Sequence, residues 1–234
     1  MPISRRSFVG CAAAGFAALA APGISAESQF LYKSSDWQMA SFQQLMKQKF
    51  DVKQLYDIAA IDDGSAFEHM VNSLNGLQFG FDLPASQIRL VGAFRGFGTM
   101  LILSDYAWEK YRIGELYKVD DPRTGKPATR NIYYPSSAGT PPKYTSDDPD
   151  DAASAFQDSS IQALQARGVQ LLACHLALEG HAGRMVKKLK LQQTQQEVAQ
   201  DLAAHLLPGV LIVPSMVAAI AMLQSKGQFS YLRV

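Results

Sequence analysis

The chain has 234 residues, 47% of them hydrophobic, and a formal net charge of +1. That length and apolar content suffice for one domain with a sizeable core. Its 22 basic and 21 acidic residues offer no basic stripe to neutralise a phosphate backbone, so nucleic acid is excluded as an expected partner.

Ser4-Arg5-Arg6-Ser7-Phe8-Val9 opens the chain, followed by a weakly apolar run from Gly10 to Ala21 and a small-residue exit, Ile24-Ser25-Ala26. This is the layout of a twin-arginine export signal. The run falls short of the roughly twenty apolar residues that span a bilayer. Residues 1–26 are therefore expected to be a cleaved address, with the periplasm as destination. Residues 27–234 are expected to form one soluble domain, without a membrane span, that folds before export. Losing Arg5 and Arg6 brings the remaining charges close to balance. Cys11 leaves with the signal. Only four residues separate it from Arg6, too few for the apolar stretch that precedes a lipid-modified cysteine. Cys174 then remains as a lone thiol, unable to form an internal disulfide even in an oxidising compartment.

Along the mature chain, a polar and aromatic stretch carries a helical tendency around Ala40 to Lys49. Gln54 to Ala60 reads as a first strand, stopped by Asp62-Asp63-Gly64. Phe67, Met70, Val71 and Leu74 then recur at helical spacing behind a cap at Gly64 or Ser65, and Asn75-Gly76 reads as the helix end. A second strand, Gln87 to Ala93, runs into Phe94-Arg95-Gly96-Phe97-Gly98. A helix is expected from about Thr99, with Met100, Leu101, Leu103, Ala107, Trp108 and Tyr111 on its apolar face. Between residues 119 and 151 the prolines from Pro122 to Pro149 and the acidic run Asp147 to Asp151 mark a long irregular insertion, a solvated excursion, a lid or an oligomer contact. Order returns with a helix from Ser159 to Ala166 and an apolar strand, Val169 to Ala173, suited to the interior of a parallel sheet. A helical stretch after His175, a helix from Gln192 to His205, a strand from Val210 to Val213, a helix from Met216 to Gln224 and a last strand from Phe229 to Leu232 complete the chain. Strands alternating with helices predict an α/β fold, doubly wound around a mostly parallel sheet in three layers, flavodoxin-like.

Cys174 is the foremost candidate for chemistry. It falls at the carboxyl end of a strand, where open α/β sheets bind ligands, and at the start of a helix, which favours the anionic thiolate. His175 beside it is the candidate to tune that thiolate. Against this stands the frequency with which a lone cysteine is a small core residue. Arg95, Gly96 and Gly98 form a second candidate, a strand-to-helix turn whose amides and guanidinium suit an anion; a tight turn needing small residues explains it equally well. His175 and His181 lie roughly 240° apart on a helix, and neither His69 nor His205 is placed by sequence to complete a chelate. No metal and no cofactor are expected. A Gly-x-Ser-x-Gly elbow is absent, which argues against the common hydrolases.

Three pieces of the chain resemble the DsrE/DsrF-like family. They are Gly168 to Cys174, the closing segments Leu207 to Ser215 with Gln224 to Tyr231, and Leu90 to Gly96 followed by Leu101 to Tyr111. The likeness covers most of residues 54–234 apart from the insertion. It implies a compact α/β fold, homo-oligomers in many members, and in some a cysteine that carries sulfur between partner proteins; Cys174 matches that position. The export signal and the insertion depart from the pattern. The expected function is thus an exported DsrE-like protein handling sulfur, or a thiol-reactive small molecule, through Cys174, with a sulfur-donor or acceptor protein or a small anion as partner. The alternative is a non-catalytic ligand-binding or oligomeric interaction module with a buried structural cysteine.

Overall fold

The computed structural model describes residues 39–135 and 143–234; the expected export signal, Cys11 and part of the insertion lie outside the described residues. Five strands form one sheet: β1 (Val52–Ile58), β2 (Ile88–Phe94), β5 (Gln170–Cys174), β6 (Leu211–Val213) and β7 (Ser230–Arg233). Their order across the sheet is β6-β5-β2-β1-β7 and every pairing is parallel, with Leu55 beside Val91 and Tyr231, and Cys174 beside Val213.

The chain thus steps outward from β1 through β2 and β5 to β6, then returns to place β7 on the far side of β1. Crossovers of a single hand put the helices of the outward steps on one face and the helix of the return step on the other. The core divides accordingly. Tyr56, Ile58, Leu90, Phe94, Leu171 and Ala173 pack towards α2 (Ser65–Asn75), α3 (Asp105–Lys110), α5 (Ile161–Ala166), α6 (His175–Leu189) and α7 (Gln195–Ala204). Leu55, Val91, Ala93, Leu172, Cys174 and Val213 alternate with them along the strands. They pack towards α1 (Ala40–Lys47) and α8 (Met216–Ser225). The result is the expected three-layer α/β architecture with a wholly parallel five-stranded sheet.

The strands match the expected ones to within a residue or two. The helix expected from Thr99 divides instead. Gly96–Ile102 is a 3-10 helix, Leu103 bridges antiparallel to Leu206, and α3 starts afresh behind Ser104. Tertiary partners take the backbone groups a continuous helix would use: the Asn131 side chain donates to the Leu101 and Leu103 carbonyls at 2.7 and 2.8 Å, and Ser104 N–H donates to His205 O. Helix α2 ends at Asn75 with Gly76 as its C-cap, as expected, but the chain does not leave the helical path there. Gly76 keeps right-handed dihedrals, and the chain continues through a π-helical turn, Gly76–Gly80.

The insertion begins inside the fold. After α4 (Ile113–Tyr117), β3 (Asp120–Asp121) and β4 (Lys126–Pro127) form a small antiparallel hairpin. Asn131 is fully buried, and the Tyr133 ring packs 5.7 Å from that of Phe67. Asp147, Asp148, Asp150 and Asp151 are exposed. Among the described residues no helix is long and apolar enough to cross a membrane.

Candidate functional site

The carboxyl end of the sheet gathers most of the chain's unusual polar groups. Neighbouring strands β5 and β6 send their following helices, α6 and α8, to opposite faces. Such a divergence opens a crevice outside the strand ends, the usual ligand position in open α/β sheets. Cys174 lies on that seam as the last residue of β5 and the N-cap of α6. It is only 6% exposed and sits in the aliphatic cluster with Leu172, Val213 and Met216. His175, expected to tune the thiol, brings Nε2 to 3.1 Å from Glu179 Oε1, one turn along α6.

Arg95 follows the last residue of β2 and shares the α8 side of the sheet with Cys174, within electrostatic reach of it. Its Nε and Nη2 donate to the two carboxylate oxygens of Asp57 at 2.7 and 2.8 Å. Asp57 is a buried acid near the end of β1, and Tyr231 of β7 donates its hydroxyl to the same carboxylate at 2.7 Å. Burial pulls the Asp57 carboxyl upward. The hydrogen bonds from Arg95 and Tyr231, with the charges of Arg95 and Arg233, outweigh it and hold the group below the ordinary carboxylate value. The hydrogen bond to Asp57 in turn raises Arg95.

The glycines of the turn serve close packing. Gly96 has φ +50°, a conformation that favours glycine, and its carbonyl accepts from His181 Nε2 at 2.7 Å. A Cβ on Gly98 would come within 2.4 Å of the Ile58 carbonyl oxygen, and Gly98 N–H is already given to Ala59 O. The Gly98 amide and the Nε and Nη2 nitrogens of Arg95 are thus engaged inside the fold. His181 is 5% exposed and pushed down chiefly by burial, which keeps its ring neutral. With Nε2 donating to Gly96, Nδ1 accepts from the Tyr117 hydroxyl at 2.7 Å. Burial pushes that phenol up to about 12.

Beyond this turn, on the α6 side of the sheet, an open cavity of about 340 Å³ lies between the segment after β1, the end of α4 and helix α6. Ile61, Asp62, Phe97, Tyr117, Lys118 and Arg184 line it. The Arg184 guanidinium lies over the Phe97 ring, 4.9 Å from its centroid, and the Tyr117 ring meets Phe97 edge-on at 5.8 Å. His69 is an exposed position of α2, and His205 lies near Asp201. Among the described residues no group of three His, Cys, Asp or Glu side chains could hold a metal.

Of the residues expected from sequence, Arg95 and Cys174 come together on one face and Gly96 and Gly98 form one turn, while His175 turns to Glu179. Asp57, Tyr231, His181, Tyr117 and Arg184 were missed. An acid between Tyr56 and Ile58 inside an apolar strand was the one available signal, since such a residue needs a cation within reach. Compared with known proteins, the chain matches no family model, no curated protein and no solved structure.

Proposed function

We propose that this protein acts by binding at the carboxyl end of its sheet, as a non-catalytic module in which Cys174 is a structural core residue. One observation carries the proposal: the thiol is packed among aliphatic side chains at 6% exposure. The pairing of Arg95 with Asp57 through Nε and Nη2 agrees with it, because this candidate cation for a bound sulfur anion already has a carboxylate partner. Titration with an aromatic disulfide is the direct test. In native protein the thiol should react slowly, through transient opening, and in full after denaturation. Rapid stoichiometric reaction in the native state overturns the proposal.

That outcome would favour a second reading, in which Cys174 handles sulfur or a thiol-reactive small molecule. Its support is positional: Cys174 lies on the seam between diverging helices, with Arg95 in electrostatic reach. Polysulfide treatment followed by intact mass measurement tests it, with Cys174→Ala as the variant that must lose any adduct. Membership in the DsrE/DsrF-like family, export to the periplasm by the twin-arginine route and homo-oligomerisation are proposals that rest on the sequence features given above. Fractionation of cells expressing the Arg5→Lys/Arg6→Lys variant tests export, and sedimentation velocity tests self-association.

A further inference from the structure

We infer that the cavity beside Phe97 is a binding site for a small molecule with a flat aromatic body and one oxyanion, a carboxylate or a phosphate. The inference deepens the binding function proposed above and rests on it. Four observations combine. The cavity, about 340 Å³, falls within the roughly 300–1,000 Å³ typical of small-molecule sites. Its cations are not paired with an acid: among the described residues neither Lys118 nor Arg184 has a hydrogen-bond acceptor or ion-pair partner, and Arg184 lies over the Phe97 ring. Phe97 is 42% exposed, an aromatic surface that water does not favour, and the guanidinium over it forms a stacking wall with a charged rim.

The fourth observation is rigidity. Phe97 stands between two glycines whose backbone is pinned, Gly96 O by the buried His181 and Gly98 N–H by Ala59 O. Tyr117, which forms the adjoining wall, is tied to the same histidine. Both walls are therefore set before a ligand arrives, which lowers the ordering cost of binding. Asp62 also lines the cavity and fixes polarity. It repels a second negative arm, so the ligand's charge belongs at Lys118 and Arg184.

Phenyl phosphate is a suitable probe, with inorganic phosphate and phenol as its two halves and benzoate as the carboxylate counterpart. Amide NMR spectra of the full chain should show saturable shifts at Phe97, Gly98 and Tyr117. Phenyl phosphate should bind at least about tenfold more tightly than either half, since ring stacking and the charge-assisted hydrogen bonds act together. Arg184→Gln, an exposed position, should weaken binding about tenfold or more while melting as the parent does, and Phe97→Ala should abolish the preference for phenyl phosphate over inorganic phosphate. Equal affinity for phenyl and inorganic phosphate, shifts confined to other residues, or indifference to Arg184→Gln would each overturn the inference. The thiol titration reads separately: native reactivity of Cys174 overturns the structural role of that residue whatever phenyl phosphate does, and a silent cavity leaves that role standing.

Discussion

Replacing Arg95 with Met should destabilise the protein by about 2–4 kcal/mol at neutral pH. The Asp57 side chain is 3% exposed and that of Arg95 28%. Removing the cation leaves a buried carboxylate holding only the Tyr231 hydroxyl, with two charge-assisted hydrogen bonds gone. Breaking a fully buried pair costs about 3–5 kcal/mol. The outer edge of Arg95 reaches solvent, so water enters part of the vacated space and trims that cost. With a urea m-value of about 2 kcal/mol/M, the unfolding midpoint should fall by about 1–2 M at constant m. Asp57→Asn/Arg95→Met should recover much of the loss, since it removes the stranded charge rather than adding a contact.

The pH dependence is a sharper signature. In the parent, Asp57 is held below its ordinary value, so its contribution to stability is complete above about 3.8 and is lost as pH falls below that. In Arg95→Met the burial penalty dominates and the folded-state value rises above the unfolded one. The folded protein then binds more protons than the unfolded chain, and the variant's deficit shrinks as pH is lowered from 7 towards the carboxylate range. A cost below about 1 kcal/mol, a deficit that does not change with pH, or a double variant no better than the single one would refute this account of the pair.

Three further perturbations probe the rest of the site. His181→Phe should cost about 1–3 kcal/mol by leaving the Gly96 carbonyl and Tyr117 hydroxyl unpaired. Because burial depresses His181 in the folded state, its contribution is complete above about 6.5 and declines as pH falls below that, so thermal melts of His181→Phe should lose that part of the slope. Asn131→Leu should cost about 2–4 kcal/mol in urea unfolding, by orphaning the Leu101 and Leu103 carbonyls; a neutral result would mean the start of the insertion is dispensable. Gly98→Ala should destabilise by more than about 1 kcal/mol in the same assay, because its Cβ would meet the Ile58 carbonyl at 2.4 Å.

The fold was legible because its signals are local. Leu171, Leu172 and Ala173 form the apolar run expected of a doubly covered parallel strand, with Gln170 as the one polar residue beside them. The site was legible only in part. Arg95 and Cys174 were found by position, at strand ends. Their surroundings were not, because Asp57 lies 38 residues before Arg95 and Tyr231 lies 174 residues beyond Asp57. Only the register, which sets Asp57 beside Ala93, places Arg95 two residues onward over the same carboxylate. The broken helix after Thr99 has the same origin: Asn131 and Leu206 act on its backbone from distant parts of the chain, and periodicity carries no trace of them.

One four-residue turn joins these pieces. Arg95 leaves β2 towards the α8 side and is clamped by Asp57; Gly96 is clamped from the α6 side by His181; Gly98 is pressed onto the end of β1. Clamps on both faces engage the Gly96 carbonyl, the Gly98 amide and two nitrogens of Arg95, which suits holding one side chain still. The side chain between them is Phe97, exposed at a cavity lined by Lys118 and Arg184, which have no ion-pair partner among the described residues. Loosening either clamp should therefore weaken binding at the cavity even though neither Asp57 nor His181 lines it. Arg95→Met and His181→Phe, titrated with phenyl phosphate below their unfolding transitions, should both bind less tightly than the parent. Full affinity in both would mean that Phe97 is held by its own packing and not by the turn.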